Sequence, residues 1–199
     1  MYSLNHNIEK IVFKIRELDG PGFGLMNGKA GIGLFFANYL GKTKLDRYEV
    51  INYFQKTITE IEGTLIGDLS SLNFSDGICG ILCTLKILEK ENCFYRFDYD
   101  ISNISEILKI KFKQFINSNN YEFLYGAGGL LQFFRKFEDF DFLDEAILLF
   151  RLKSENNSAW RTYNKRTFER DYVDLGVAHG IGGLIGIIGQ CFQNLTDKE

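Results

Sequence analysis

The chain of 199 residues is long enough for one substantial domain with a sizeable hydrophobic core. Its formal net charge of −3 argues against a nucleic-acid-binding protein, because such proteins present a basic face. The 20 glycines, single proline and 19 phenylalanines indicate a packed body in which backbones approach closely, rather than a disordered linker.

Two kinds of segment alternate along the chain. The first kind is amphipathic, with apolar residues three and four positions apart, which is typical of a helix with one wet face. The second kind is apolar almost throughout and starts with two closely spaced glycines. In chain order the amphipathic segments are Ile8–Leu18, Tyr48–Ile61, Ile104–Ile116 and Phe142–Leu152, and the apolar segments cover residues 27–40, 75–88, 124–137 and 178–191. No segment alternates at period two, so we predict an all-α protein.

The apolar segments form an internal repeat with the frame Gly-x-x-Gly. The first glycines are Gly28, Gly77, Gly126 and Gly180, and the second glycines are Gly31, Gly80, Gly129 and Gly183. Both sets are spaced by 49, 49 and 54 residues. Each repeat is therefore predicted to be a helical hairpin, with the amphipathic helix outside and the apolar helix inside.

Stacked hairpins form either a solenoid or a closed double ring. The uniformly apolar inner helices favour the double ring, an α/α toroid, since its inner layer is covered by the outer helices. Small residues at the second glycines let inner helices approach closely.

A ring places the starts of all inner helices around one cavity. The residue before each first glycine is Asn27, Asp76, Tyr125 or His179. Asn27 and Asp76 are good N-caps, and capping is the favoured interpretation for both. Tyr125 and His179 are poor caps, which favours a role at the cavity.

His179 is the most informative of these residues. The chain has one other histidine, His6. The positive end of a helix lowers imidazole basicity, and a neutral histidine suits general acid–base chemistry near pH 7, although a structural role is equally compatible. Glu122 precedes the third inner helix, and a surface carboxylate is the favoured interpretation of this residue; the alternative is that it orients the histidine or holds a substrate amide.

Cysteines and targeting signals indicate a cytoplasmic protein. Residues 1–10 show no secretory signal, so the four cysteines, Cys79, Cys83, Cys93 and Cys191, are expected to be reduced thiols. Cys79 and Cys83 share a helix face, but buried hydrophobic cysteines are favoured over a metal site. The apolar stretch Leu175–Phe192 is predicted to be a buried helix and not a transmembrane segment.

At this point the motifs resemble those of the lanthionine synthetase C-like family. Residues 174–184 resemble its Gly-x-Ala-His-Gly signature, and residues 24–32, 74–81 and 121–130 are similar to its earlier inner-helix starts. The resemblance implies a double ring of seven helical hairpins, of which this chain has four, and a zinc-dependent cyclase. Such cyclases add peptide cysteine thiols to dehydroalanine or dehydrobutyrine, which closes thioether rings.

The resemblance also implies roles for particular residues. His179 matches the histidine implicated in proton transfer, and Glu122 stands where the family commonly has aspartate, so both are predicted catalytic residues. Tyr125, Asp76 and Asn27 are predicted to bind substrate. The family's zinc ligands, in later Cys and Cys-His-Gly motifs, have no counterpart here, so no metal ligand is predicted in this chain.

The expected organisation is one toroid domain over residues 1–199, truncated at its C-terminal end. Expected partners are a modified precursor peptide, a lanthipeptide dehydratase and further copies of the chain. Two alternatives remain open: a non-catalytic peptide-binding member or fragment, and an unrelated α/α-toroid carbohydrate-active enzyme using Asp76 and Glu122.

Overall fold

The computed structural model describes residues 22–40, 71–90, 98–154 and 175–196, residues 96 and 160, and parts of 10–15 and 52–63. Its helices are α1 (Lys29–Leu40), α2 (Ile78–Lys90), α3 (Ser102–Asn117), α4 (Ala127–Lys136), α5 (Phe140–Lys153) and α6 (Ile181–Thr196). Further helical residues occur within 10–15 and 52–63. The described residues contain no strand beyond one isolated bridge between Gly22 and Gly28, which confirms the all-α prediction.

The helices form an inner and an outer layer. The inner helices contact one another in chain order, α1 with α2, α2 with α4, and α4 with α6. Helices α3 and α5 pack against each other and against α4 from outside, and they coincide with the predicted amphipathic segments 104–116 and 142–152. Within the amphipathic segments predicted at 8–18 and 48–61, every residue that the structure describes is helical. The other residues of these two segments lie outside the described residues.

Phenylalanine rings fill the space between the two layers. Phe112 of α3 lies 5.4 Å from Phe142 and 5.5 Å from Phe150 of α5, measured between ring centroids. The Phe134 ring of α4 lies 4.3 Å from that of Phe142, with the ring planes inclined by 56°. Edge-to-face and tilted ring pairs at these distances add to the gain from burial, which explains the high phenylalanine content.

The loops before the inner helices are joined by a ladder of backbone hydrogen bonds. The Met26 N–H donates to the Ser75 carbonyl at 2.9 Å, the Ser75 N–H to Leu124 at 3.0 Å, and the Leu124 N–H to Ala178 at 3.2 Å. Each of these residues stands two positions before the first glycine of its repeat. The ladder therefore sets the starts of the four inner helices side by side, as the repeat predicts.

The second glycine of each repeat lies where no side chain fits. A Cβ atom there would come within 1.9–2.2 Å of a carbonyl oxygen of the helix's own loop. In the second, third and fourth repeats it would also approach a side chain of the preceding loop, namely Leu25, Phe74 and Phe123. The close approach at these glycines is therefore between helix and loop, and the prediction that they let two inner helices approach each other is wrong: in every repeat the helix approaches its own loop, and in the second to fourth repeats it approaches the preceding loop as well.

No helix among the described residues has both the length and the apolar character needed to span a bilayer. The apolar stretch 175–192 instead contributes α6, with Leu184, Ile187 and Cys191 buried in the core.

Replacing Gly129 with alanine tests the close approach. The new methyl group would lie 2.2 Å from the Phe123 carbonyl oxygen and 2.5 Å from Phe74 Cβ, so backbone or core must shift. We expect the free energy of unfolding in urea to fall by about 3 kcal/mol. Gly189→Ala is the control, because nothing lies within 4 Å of its Cβ position; it should raise stability by up to about 1 kcal/mol. Equal effects of the two substitutions would contradict this packing.

Candidate functional site

Glu122 and His179 meet where the loops before α4 and α6 lie side by side. His179 Nδ1 is hydrogen-bonded to Glu122 Oε1, across 57 residues of sequence. The Glu122 side chain is only 6% exposed, whereas that of His179 is 44% exposed. Glu122 is therefore not a surface carboxylate, and the interpretation that the sequence favoured for this residue is wrong.

The chemistry of the pair fixes the roles of the two ring nitrogens. An ionised carboxylate only accepts hydrogen bonds, so the Nδ1 facing it carries a proton. In neutral His179 the lone pair then lies on Nε2, at the opposite side of a ring that is partly open to solvent. A buried carboxylate that holds one imidazole nitrogen and leaves the other as a base is a familiar arrangement for proton transfer.

Tyr125 packs its ring against the imidazole. The two rings are stacked, with centroids 6.2 Å apart and planes inclined by 9°. The buried Ser75 hydroxyl lies 3.2 Å from the Tyr125 hydroxyl and donates to it. Contacts thus connect the three loops before α2, α4 and α6, and these contacts hold the plane of the His179 ring.

Ser75 was missed by the sequence analysis. A signal for it does exist, because Ser75 occupies the ladder position two residues before the first glycine. Its counterparts Met26, Leu124 and Ala178 are apolar, so the single hydroxyl is exceptional.

The loop that carries Glu122 is held on both sides. Tyr121 is buried and donates a hydrogen bond to Asn119 Oδ1 at 2.8 Å, while the Phe123 ring lies 5.0 Å from Phe74. Asn119 has a φ of 55°, a left-handed conformation that asparagine tolerates, and this residue turns the chain after α3. Glu122 therefore projects from a rigid segment between two apolar anchors.

The loops before the four inner helices lie side by side and form a rim. Asn27 and Asp76 lie on a separate, more exposed part of this rim. Both border Gly24, whose Cβ position lies 2.9 Å from Asn27 Oδ1 and 2.5 Å from Asp76 Cα. The predicted N-cap role of these two residues is wrong, because α1 and α2 begin at Lys29 and Ile78 and a glycine occupies each cap position. Asp76 Oδ1 instead accepts a hydrogen bond from the Ser71 hydroxyl at 3.2 Å.

The predicted site residues thus fall into two groups along one rim. The structure brings Glu122, Tyr125 and His179 into contact, and it sets Asn27 and Asp76 beside each other. Two further residues of the sequence analysis, His6 and Cys93, lie outside the described residues.

The described cysteines are buried thiols. Cys79 donates to the Gly129 carbonyl at 3.5 Å, and burial together with the neighbouring Cys83 raises its pKa well above the usual value. Within the described part of the chain no group of three or more histidine, cysteine or acidic side chains is placed to hold a metal ion.

Comparison with known proteins gives two similarities. Residues 19–199 match the family model of lanthionine synthetase C-like proteins. Among solved structures, nisin cyclase, an α/α toroid, is similar, with a TM-score of 0.62 and 18% sequence identity over 92% of this chain and 51% of nisin cyclase. The chain therefore spans about half the length of that protein, and at this identity the likeness shows a shared fold. No curated protein sequence matches the chain.

Cys191 makes folding stability depend on alkaline pH. Burial raises its pKa from 9.0 to about 11, so between these values the unfolded state loses the thiol proton while the folded state keeps it. Stability should be unaffected by this group below pH 9 and fall by about 2–3 kcal/mol as pH rises to 11. Urea unfolding of wild type and Cys191→Ala between pH 8 and 11 measures the difference in slope. Identical slopes would show that Cys191 does not titrate as its burial requires.

The tautomer of His179 tests the geometry of the pair. Long-range ¹H–¹⁵N spectra should show neutral His179 with a protonated Nδ1, because a carboxylate faces that atom. His6 is the only other histidine, so His6→Gln assigns the signals. In Glu122→Gln the amide is able to donate to Nδ1, and the proton should move to Nε2. A wild-type protein with its proton on Nε2 would contradict the observed pairing.

Proposed function

Because the chain belongs to the lanthionine synthetase C-like family, we propose that it takes part in thioether ring formation on a dehydrated precursor peptide. The observation that carries the proposal is the buried Glu122 carboxylate bound to the Nδ1 of a partly exposed His179. The pair lies on the rim formed by the leading ends of the inner helices, where a peptide has access.

The proposed reaction is the addition of a cysteine thiol to a dehydroalanine or dehydrobutyrine residue. His179 Nε2 takes the proton from the thiol, and the resulting imidazolium is stabilised by the Glu122 carboxylate. The sulfur lone pair forms a bond to the β-carbon, and the electrons of the double bond move into an enolate. Nε2 then returns its proton to the α-carbon. One S–H bond and one carbon–carbon π bond are broken, one sulfur–carbon bond and one carbon–hydrogen bond are formed, and no oxidant or reductant is needed.

The rest of the rim supplies substrate contacts in this proposal. Tyr125 holds the imidazole plane and offers an aromatic edge to the peptide. Asn27 and Asp76 are exposed polar side chains on the same rim and are suited to hydrogen bonds with peptide amides.

Zinc does not fit the described part of this chain. A zinc site needs at least three protein ligands, and deprotonated thiols among them. The Cys79 thiol is instead held protonated by burial, and the described residues offer no cluster of three ligands. The proposed reaction therefore has no step on zinc.

A second candidate is a non-catalytic member that binds the modified peptide on the same rim. The cyclases that the family resemblance implies use zinc, and the described residues place no group of three zinc ligands, which favours this alternative. A dehydratase and further copies of this chain are proposed partners in either case, in the cytoplasm. The carbohydrate-active alternative gains no support, since a mechanism with Asp76 and Glu122 leaves the contact between Glu122 and His179 without a role.

Ring closure on a peptide with one cysteine and one dehydrobutyrine tests the proposal. Thiol alkylation followed by mass spectrometry counts unreacted cysteines, and fluorescence anisotropy measures peptide affinity. We expect His179→Ala to slow closure by about 10²-fold or more and Glu122→Gln by about 10²-fold, with peptide affinity unchanged.

Glu106→Gln is the matched control, because this carboxylate lies on the outer helix α3 with a 69% exposed side chain. Peptide binding without closure by the wild-type chain would favour the non-catalytic alternative. Closure that is unaffected by His179→Ala, or no binding at all, would overturn the proposed role of the pair.

A further inference from the structure

The ladder residue of the second repeat carries a hydroxyl that the ladder does not need. Ser75 makes its rung with backbone atoms alone, since its N–H donates to the Leu124 carbonyl at 3.0 Å and its carbonyl accepts from the Met26 N–H at 2.9 Å. The counterparts of Ser75 in the other repeats are apolar. Burying a hydroxyl costs free energy unless it is hydrogen-bonded, so the side chain of Ser75, which is 2% exposed, depends on a bonding partner.

That partner, Tyr125, also departs from the repeat. Tyrosine is a poor N-cap, and Gly126 occupies the cap position of α4, so the Tyr125 side chain does not cap its helix. The residue is instead held at both ends. Its hydroxyl accepts from the Ser75 hydroxyl at 3.2 Å, and its carbonyl accepts from the Asn120 side-chain amide at 3.2 Å. Because the hydroxyl is the far end of the side chain, its hydrogen bond fixes the place and the tilt of the ring.

The Tyr125 ring limits the motion that Glu122 leaves to the imidazole. His179 is held by its own Cβ and by the contact of Nδ1 with Glu122. These two points define an axis, and rotation about that axis would swing Nε2 to one side. The Tyr125 ring lies parallel to the imidazole, with the planes inclined by 9°, and therefore restricts this rotation. The direction of Nε2 thus depends on the place of the tyrosine ring.

We propose that Ser75 is a positioning residue of the site, which acts through Tyr125 to direct Nε2 of His179 toward the substrate thiol. The chain of contacts runs from one hydroxyl to the other and then from the tyrosine ring to the imidazole. No proton moves along it, because stacked rings transfer none, so its effect is orientation alone. The role in ring closure rests on the proposed function, whereas the orientation of the imidazole rests on the geometry of described residues.

Ser75 also links the direction of the base to the register of the hairpins. Its backbone bonds align the second repeat with the first and the third. Its side chain holds the third-repeat tyrosine that stacks on His179 of the fourth. A shift of the second loop along the ladder would therefore turn the imidazole, although that loop makes no bond to it in this chain of contacts.

Ser75→Ala and Tyr125→Phe test the proposal, since each removes one hydroxyl of the pair. Nuclear Overhauser peaks between the ring protons of residue 125 and His179 should be lost in both variants. Nδ1 of His179 should stay protonated, because Glu122 is unchanged. Closure of the peptide with one cysteine and one dehydrobutyrine should slow by about 10–100-fold at unchanged peptide affinity, because a misplaced base lowers the rate and not the binding.

The double variant measures whether the two hydroxyls act as one unit. We expect Ser75→Ala combined with Tyr125→Phe to close the peptide no more slowly than either single variant, because both substitutions remove the same hydrogen bond. A double variant in which the two losses of rate multiply would overturn the proposed route through Tyr125.

Thr84→Val is the matched control. Thr84 is fully buried on α2 of the same repeat, and its hydroxyl donates within its own helix, to the Gly80 carbonyl at 2.9 Å. Valine keeps the shape of the side chain and removes a buried hydroxyl, so the Overhauser peaks and the rate of closure should stay as in wild type.

Three results would contradict the positioning role. Equal losses in Thr84→Val and Ser75→Ala would show a general effect of removing buried hydroxyls. Intact Overhauser peaks in Ser75→Ala would show that Ser75 does not orient the imidazole, and an unchanged rate of closure would show that this orientation does not serve the reaction. A wild-type chain that closes no ring would instead overturn the proposed reaction, and the Overhauser comparison would still decide whether Ser75 orients His179.

Discussion

The structure depends on the absence of a Cβ atom at the second glycine of each inner helix. Only a glycine lets the helix pass within contact distance of its own loop carbonyl and of the side chain from the preceding loop. That proximity lets the loops hydrogen-bond to one another, and the ladder fixes the register of the hairpins. Packing of phenylalanine rings between the two layers then stabilises an arrangement that the glycines and loops have set.

The candidate site is a consequence of that register. Glu122 and His179 are 57 residues apart, and they meet because their loops are adjacent rungs of the ladder. Burying a carboxylate is costly unless it is paired, and the imidazole supplies the pairing. Glutamate stands where the family resemblance implies aspartate, and its longer side chain still reaches Nδ1 of the histidine. The difference therefore preserves the contact on which the proposed proton transfer depends.

The fourth repeat exposes more apolar side chains than the repeats before it. A repeat protein buries the apolar faces of its units against their neighbours. Here α6 exposes Ile185, and the loop before it exposes Leu175 and Val177. These exposed residues belong to a repeat whose inner-helix sequence has the same apolar character as that of the other three.

The sequence by itself determined the secondary structure, the repeat and the family. Period and glycine spacing are local properties, so they predicted α3, α5 and the inner helices to within a few residues. The sequence also singled out His179, which directly precedes the first glycine of its repeat, and Glu122, a carboxylate in the loop before the third inner helix. The family resemblance added their expected roles, which the geometry makes chemically reasonable and experiment must test.

Only the tertiary structure decided which residues touch. The cap interpretation of Asn27 and Asp76 failed because the backbone places glycine at the cap, which residue preferences do not reveal. Ser75 was overlooked because its hydroxyl acquires a partner, Tyr125, only when two loops 50 residues apart are aligned. The physical reason is the same for both. The period of a helix depends on neighbours in sequence, whereas the burial and pairing of polar groups depend on the register between distant segments. Close packing at the glycines sets that register.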